Sequence, residues 1–131
     1  MELCYIVFDM KIIETIEGNV VKGKGVGKAM GFPTLNIHYE GDAEGVFGGC
    51  VYCDGTRYKA AINIGGSPTF DGAFTKLCEA FLVDVNEDFE HEGFIKVELI
   101  EKIRDIKKFE NKTDLEKQIA KDVDFVKMSP C

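Results

Sequence analysis

Alternating apolar and polar residues recur in short runs along most of this chain, with the period of two that is typical of β-strands. We predict strands at residues 15–22, 34–37, 46–52, 56–64, 76–85 and 94–103. Asp54 and Gly55 join the third and fourth runs as a tight hairpin, since this pair suits the positive φ angles of such a turn. Residues 65–68, Gly-Gly-Ser-Pro, interrupt the pattern, which predicts a barrel corner or a ligand-facing loop.

The last part of the chain changes to the period of an α-helix. Residues 113–116 fit a capping box, with Thr113 as the expected N-cap. Apolar residues then recur on one helical face, where we expect them to pack on the strands as core: Leu115, Ile119, Val123 and Val126. Many short strands followed by one terminal helix indicate a mainly β fold, a small closed or nearly closed antiparallel β-barrel with a C-terminal α-helix.

Composition restricts the possible partners. The 131 residues are 45% hydrophobic and 30% charged, as in an ordinary globular domain, and the length suits a single domain. A net charge of −7 argues against a nucleic-acid partner, because binding to a phosphate backbone needs a basic surface. No apolar run approaches the length of a membrane span, so we expect no membrane partner.

We divide the chain into an N-terminal leader at residues 1–14 and a barrel domain at residues 15–131. The leader carries the apolar run 3–8, which predicts an added edge strand or a dimer contact, and hence a monomer or weak homo-oligomer. Charged residues interrupt any secretory signal, and five cysteines is an odd number, so we expect reduced thiols and a cytoplasmic protein. Cys50 and Cys53 are three apart in a predicted strand and should face opposite sides.

Residues 18–37 form the most unusual stretch of the sequence. They hold five glycines and three lysines, and no Asp or Glu occurs from residue 18 to residue 39. Glycines such as Gly23, Gly25 and Gly27 let a ligand approach backbone N–H groups, while Lys24 and Lys28 add positive charge. The segment therefore favours an anion such as a phosphate chain, with a flexible surface loop as the alternative. The two common glycine-rich nucleotide motifs do not fit its spacing.

A possible magnesium site follows these glycines. Pro33 favours an extended backbone, so Thr34 and Asn36 should point to the same side of a strand, opposite Leu35 and Ile37. Two neutral oxygens beside a phosphate-binding loop suit Mg²⁺, which takes its remaining ligands from water and phosphate. The alternative is an ordinary solvated strand face.

Glu79 is the most conspicuous carboxylate of the strand region. It shares a strand face with Leu77 and Phe81, a face that we expect to point inward. A carboxylate among apolar side chains is costly unless it is hydrogen-bonded, paired or functional. From the residues alone, a functional acid and a structural pair with Arg or Lys both remain possible.

At these positions the sequence resembles the riboflavin kinase (flavokinase) family. Residues 18–23 match its Gly-x-Val-x-x-Gly flap, and residues 27–36 match the following Gly-[Arg/Lys]-x-Leu-Gly-Phe-Pro-Thr-Ala-Asn, with Leu35 in place of Ala. Residues 63–70 resemble its Asn-Ile-Gly-x-x-Pro-Thr-Phe segment, and residues 103–109 its Leu-Arg-x-x-x-x-Phe segment. The likeness covers about residues 15–127 and departs mainly at 88–93, where the family has Tyr-Gly.

The resemblance implies a six-stranded Greek-key barrel that phosphorylates the 5′-hydroxyl of riboflavin to FMN, with ATP as donor and Mg²⁺ as cofactor. Glu79 is then the general base, Thr34 and Asn36 hold Mg²⁺, and Arg104 and Phe109 contact the flavin, although Phe109 could equally be a core anchor. The implied nucleotide-binding residues are Gly23, Lys24, Gly25, Gly27, Lys28, Phe32, Pro33 and Thr34. Riboflavin, FMN, ATP and ADP are the expected ligands.

Two other functions stay open at this stage. One is a non-catalytic barrel that binds flavin or nucleotide without turnover, and the other is a protein-interaction barrel that uses the apolar segment at 3–8. We favour the enzyme, because a binding module has no use for metal ligands and a base together. We also expect the chain to stop at FMN, since 131 residues leave no room for the adenylyltransferase domain of many bacterial relatives.

Overall fold

The computed structural model describes residues 11–22, 31–68, 74–129 and 131. It contains six strands and one helix in this part of the chain. The elements are β1 (Glu14–Asn19), β2 (Thr34–Tyr39), β3 (Gly45–Cys53), β4 (Thr56–Pro68), β5 (Phe74–Leu82), β6 (Phe94–Arg104) and α1 (Lys112–Lys127). Both the glycine and lysine positions at 23–28 and most of the N-terminal leader lie outside the described residues.

The six strands form one antiparallel sheet in the order β1-β6-β3-β4-β5-β2. Strands β3, β4 and β5 follow one another, and β6 returns beside β3, which is the arrangement of a Greek key. The two outer strands meet where the backbone N–H of Val21 donates to the carbonyl of Asn36, with an N···O distance of 2.7 Å. The sheet is therefore a nearly closed barrel, and the predicted fold class is confirmed.

The interior of the barrel is filled by side chains from every strand. Leu35, Ile37, Ile62 and Val97 are at most 4% exposed and belong to one apolar cluster. Strands β3 and β6 approach so closely that a Cβ at Gly49 would overlap the carbonyl oxygen of Glu98. This barrel consequently has a packed core, as small barrels generally do.

The predicted hairpin between β3 and β4 is confirmed. Asp54 and Gly55 adopt φ angles of 50° and 81°, which are the left-handed values that a tight two-residue turn requires. The strand after it is longer than predicted, because β4 continues to Pro68 and pairs Gly65 with Leu77. Of the two alternatives expected at residues 65–68, a barrel corner or a ligand-facing loop, the loop is wrong, since the ladder to β5 holds these backbone groups in the sheet.

A second apolar cluster lies between the outer face of the barrel and α1. Ile119, Val123 and Val126 of the helix pack there against Ala61 and Phe81. The predicted packing of the helix on the barrel is confirmed, but its start is earlier than predicted. The N-cap is Asn111, whose side-chain oxygen accepts a hydrogen bond from the backbone N–H of Asp114 at 2.8 Å, so Thr113 lies inside the helix.

The cysteine expectation needs a correction. The structure joins Cys50 of β3 to Cys131 in a disulfide across a separation of 81 residues, with a Cα–Cα distance of 5.5 Å. Cys53 faces the barrel interior instead, so the two cysteines do lie on opposite sides of the strand. Cys78 is likewise buried and free, and burial raises the pKa of its thiol to about 12. Within the described residues no helix is both long and apolar enough to cross a bilayer.

Candidate active site

A cavity of about 350 Å³ lies on the outer face of the barrel. Strands β4 and β5 form its floor, with Asn63 and Glu79 among the residues that line it. Ile119 of α1 lines another side, and Phe109 of the segment between β6 and α1 lines a third. Its size lies at the lower end of the range that is usual for small-molecule sites.

Glu79 lies on this outer face and not inside the barrel. Its strand neighbours Cys78 and Ala80 are completely buried in the interior cluster, so alternation places Glu79 on the opposite side with Phe81. The expectation of an inward face is therefore wrong. Because α1 covers the outer face, both faces of β5 carry apolar residues, and the alternation alone could not tell which one pointed inward.

Three polar residues form a row across adjacent strands. Asn36 of β2 is the register partner of Glu79, and Asn63 of β4 is its partner on the other side. Directly opposed residues in an antiparallel sheet have Cβ atoms roughly 4.5–5.5 Å apart and point to the same face. The carboxylate of Glu79 thus stands between two side-chain amides, and we call these three residues the polar row.

The residues at one end of the polar row fit a hard cation. Asn36 is only 5% exposed, and within the described part of the chain no hydrogen-bond donor reaches its Oδ1. The Thr34 hydroxyl donates to the carbonyl of Phe32 at 3.2 Å, which leaves its oxygen lone pairs available. Both side chains lie on the same face of β2, as predicted, and neutral oxygens of this kind suit Mg²⁺. Their chemistry therefore fits the cofactor that the sequence implied.

Phe32 and Pro33, which were predicted to bind nucleotide, have structural contacts in this part of the fold. Phe32 packs against the apolar cluster under α1, and the carbonyl of Pro33 accepts a hydrogen bond from the N–H of Leu82 at 2.8 Å. These contacts hold the start of β2 and so set the position of Thr34. Their contacts with a nucleotide remain a prediction, as do those of the glycines and lysines outside the described residues.

Cationic and aromatic side chains, rather than the amides of the polar row, line the part of the cavity next to the segment after β6. The guanidinium carbon of Arg104 lies 6.0 Å from the centroid of the Phe109 ring, and Lys107 Nζ lies 5.6 Å from the same centroid. Phe109 is half-buried, lines the cavity and belongs to neither apolar cluster of the described residues. Leu115 and Ile119 complete an apolar wall, so the helical stripe that we predicted to be core also lines the cavity.

Two polar residues of this site, Asn63 and Asp122, were not predicted as functional from the sequence. Asn63 was quoted only as part of a motif, although it is a polar residue between the buried Ile62 and Ile64. Asp122 was not noticed at all, although it lies three residues after Ile119 on the apolar face of the helix. A polar or charged residue at a position that the period assigns to the buried face is the signal that could have identified both.

The arrangement suits a bound small molecule that has one aromatic and one anionic end. The described residues contain no group of three or more His, Cys, Asp or Glu side chains that could hold a metal ion. The Thr34 and Asn36 pair lies outside such a definition, because its ligands would be a hydroxyl and an amide. The fold and the cavity together define a small antiparallel barrel with a candidate ligand cavity on its outer face.

Comparison with known proteins gives the family. The family model for riboflavin kinase matches residues 12–129, so the chain belongs to the riboflavin kinase family. An RNA-binding riboflavin kinase from Bacillus subtilis is 36% identical over 113 residues, which cover 85% of this chain and 49% of that protein. A bifunctional riboflavin kinase/FMN adenylyltransferase from Haemophilus influenzae is 34% identical over 118 residues, which cover 86% of this chain and 37% of that protein.

A solved structure shares the fold. The chain superposes on a macrolide-efflux protein from Streptococcus pneumoniae with a TM-score of 0.74 and 28% identity, over 88% of this chain and 39% of that one. The chain thus spans about half the length, or less, of the proteins that it matches. The family and the fold predicted from the sequence are both confirmed.

Proposed function

We propose that this chain is a riboflavin kinase, which transfers the terminal phosphoryl group of ATP to the 5′-hydroxyl of riboflavin and releases FMN and ADP. The observation that carries the proposal is the polar row: in a chain of this family, Glu79 lies between Asn36 and Asn63 on the floor of a cavity. A carboxylate held beside a cation site and inside a ligand cavity is what the reaction needs.

Glu79 acts on the acceptor hydroxyl in this proposal. Its carboxylate accepts the 5′-hydroxyl proton as the riboflavin oxygen forms its bond to the γ-phosphorus, and the bond from that phosphorus to the ADP oxygen breaks. Asn36 Oδ1 and Thr34 Oγ1 would hold Mg²⁺, which neutralises the phosphate charge when it is bound. Because Asn36 is the register partner of Glu79, and Thr34 lies two residues before it on the same face of β2, the acceptor and the phosphoryl group are proposed to meet beside Glu79.

The nucleotide and flavin contacts extend this assignment to either side of the polar row. The segment with Gly23, Lys24, Gly25, Gly27 and Lys28 precedes the two metal ligands in the sequence, and it is proposed to cover the ATP phosphates. Phe109 and Arg104 lie at the other end of the cavity and are proposed to contact the flavin ring. An aromatic wall there suits the flat tricyclic ring of riboflavin.

The test is FMN formation by the purified chain with riboflavin, ATP and Mg²⁺, followed by chromatography. Glu79→Gln keeps the shape of the side chain but removes the base, so its rate should fall by at least about 100-fold, the lower range for loss of acid–base catalysis. Glu17→Gln on the exposed side of β1 is the matched control and should retain the wild-type rate. A Glu79→Gln variant with full activity would remove the general base from the proposal.

The same assay distinguishes a riboflavin kinase from a barrel that binds flavin without catalysis. A wild-type chain that binds riboflavin but forms no FMN with Mg²⁺ and ATP would be a non-catalytic flavin-binding barrel. The name of the Bacillus subtilis relative includes RNA binding, but the chain matches only 49% of that protein. The absence of a nucleic-acid partner here stays a prediction from the net charge of −7, and an RNA gel-shift titration of the purified chain checks it.

A further inference from the structure

Asp122 is a buried charge that the proposed reaction leaves unexplained. Its side chain is only 5% exposed, and it lies on the face of α1 that packs toward the barrel. Burial of a carboxylate is costly unless hydrogen bonds and an opposite charge compensate it. Here Arg104 and Gln118 supply that compensation, so the question is what the group does at the edge of a ligand cavity.

The pairing with Arg104 has a defined geometry. Arg104 Nε donates to both carboxylate oxygens of Asp122 at 3.1 and 3.2 Å, and Nη2 donates to Oδ2 at 2.8 Å. Gln118 Nε2 adds a hydrogen bond to Oδ1 at 3.1 Å, and Arg104 Nη1 donates to the carbonyl of Asp105 at 3.1 Å. Donors on all three guanidinium nitrogens are engaged, which fixes both the position and the plane of the group.

A purely structural role explains this pair poorly. Buried ion pairs contribute little net stability compared with apolar residues of similar volume, because desolvation offsets their attraction. Apolar neighbours such as Val123 and Val126 already anchor the helix on the barrel. Arg104 and Asp122 both line the cavity, and the guanidinium carbon of Arg104 lies 6.0 Å from the centroid of the Phe109 ring. The pair therefore shapes the surface that a ligand meets.

We propose that Asp122 is a positioning residue for the acceptor substrate. Asp122 holds the Arg104 guanidinium in a fixed plane at the cavity, so that the flavin ring stacks on the flat face of the guanidinium and the positive charge of Arg104 is already balanced. The inference rests on the proposed function. Nitrogens at the edge of the Arg104 guanidinium donate hydrogen bonds within the protein, and Asp122 balances its charge. Arg104 therefore offers a planar surface beside Phe109. Such a surface selects a neutral planar ring and leaves phosphate groups to the neighbourhood of Glu79, where Asn36 is its register partner.

Asp122→Asn is the diagnostic variant, because it keeps the volume of the side chain and removes the charge. We expect the riboflavin Kd and KM to rise by about 10-fold, the size of a lost charge-assisted hydrogen bond. The kcat and the KM for ATP should change less than about threefold, since the polar row is untouched. Asp124→Asn, at an exposed position of the same helix, is the matched control and should match the wild type.

A double-mutant cycle distinguishes positioning from general weakening. Arg104→Gln should weaken riboflavin binding by a similar factor. The double variant should bind riboflavin no more weakly than the single variant with the lower affinity, because Asp122 acts only through Arg104. Riboflavin affinity is measured by quenching of flavin fluorescence without ATP, so the cycle does not depend on turnover. Additive effects, or equal losses in the KM for ATP and in kcat, would overturn the proposal.

Gln118→Leu keeps the test informative if Asp122→Asn fails to fold. It removes one hydrogen bond to Asp122 and should raise the riboflavin Kd in the same direction by a smaller factor; an unchanged Kd would count against positioning. If the wild type binds riboflavin without forming FMN, the kinase function fails, whereas the coupling between Asp122 and Arg104 still decides the positioning role. A wild type that does not bind riboflavin refutes both.

Discussion

Replacing Asn36 by Val should make the protein more stable and less active. The residue is 5% exposed, and within the described residues its Oδ1 lacks a hydrogen-bond donor. An acceptor that is buried without a partner costs folding free energy, and this cost is explained if the oxygen serves a bound cation. Val is apolar and suits a strand, so the substitution removes the cost and the proposed metal ligand together.

The size of the expected stability increase in Asn36→Val follows from the burial of the Asn36 Oδ1 atom. An unsatisfied buried polar group costs about 1–3 kcal/mol, and β propensity adds a few tenths in favour of Val. Loss of any contact of the amide nitrogen reduces the gain, so we expect a net increase of about 1 kcal/mol in the free energy of unfolding. For a chain of 131 residues this corresponds to a rise in Tm of about 3–5 °C.

The assay combines thermal unfolding with FMN formation. Without ligand, Asn36→Val should melt above the wild type, and its FMN formation should fall steeply. Addition of Mg²⁺ and ADP should raise the Tm of the wild type through preferential binding to the folded state, and this increment should shrink in the variant. Thr15→Val, at an exposed position of β1 outside the flap motif, is the control and should leave stability within about 0.5 kcal/mol, with activity unchanged.

Two results would refute the reasoning about Asn36. A decrease in stability of more than about 1 kcal/mol would mean that the amide forms hydrogen bonds that matter for the fold, in conflict with an orphaned oxygen. A stable variant with wild-type FMN formation and an undiminished response to Mg²⁺ and ADP would show that Asn36 does not hold the cation.

Further predictions concern the disulfide and Tyr39. Cys131→Ser, or reduction of the wild type, should lower the free energy of unfolding by up to about 4 kcal/mol, because the bridge closes a loop with a separation of 81 residues; an unchanged urea midpoint with reductant would contradict this. The Tyr39 hydroxyl donates to Glu14 at 2.9 Å, and burial raises its pKa above 10.0. The stabilisation of the folded state by the protonated Tyr39 hydroxyl is therefore present below pH 10 and is lost as pH rises through the folded-state pKa of Tyr39. Tyr39→Phe should be less stable than the wild type at pH 7 by about 1 kcal/mol, with a smaller difference at pH 11 by urea unfolding.

Local patterns were sufficient to predict most of the strands. The alternation in β2 correctly separated Leu35 and Ile37 from Asn36 on the opposite face, and the Asp54-Gly55 pair marked the hairpin, because both signals depend only on neighbouring residues. The face of Glu79 was predicted wrongly for a physical reason: α1 buries the outside of β5, so hydrophobicity no longer distinguishes its two sides.

Contacts between distant segments account for what the sequence did not reveal. The Arg104–Asp122 pair joins a strand to a helix 18 positions further on, and the disulfide joins residues 81 apart. Neither has a local signal, because pairing depends on how the helix docks and not on the residues beside each partner. The flavin contacts of Arg104 and Phe109 came from the family resemblance, whereas the metal role of Thr34 and Asn36 came from the alternation in β2, and all of these roles stay predictions.

The packed interior of this barrel explains why the candidate site is on its outside. Apolar side chains of all six strands fill the interior, so a ligand needs a second wall built against the outer face. Helix α1 and the segment after β6 provide that wall, with Leu115, Ile119 and the hydrogen-bonded pair of Asp122 and Arg104 lining the cavity. If the proposed function holds, the helix contributes to binding as well as to folding, and substitutions on its barrel-facing side should alter flavin affinity even where Glu79 and Asn36 are intact.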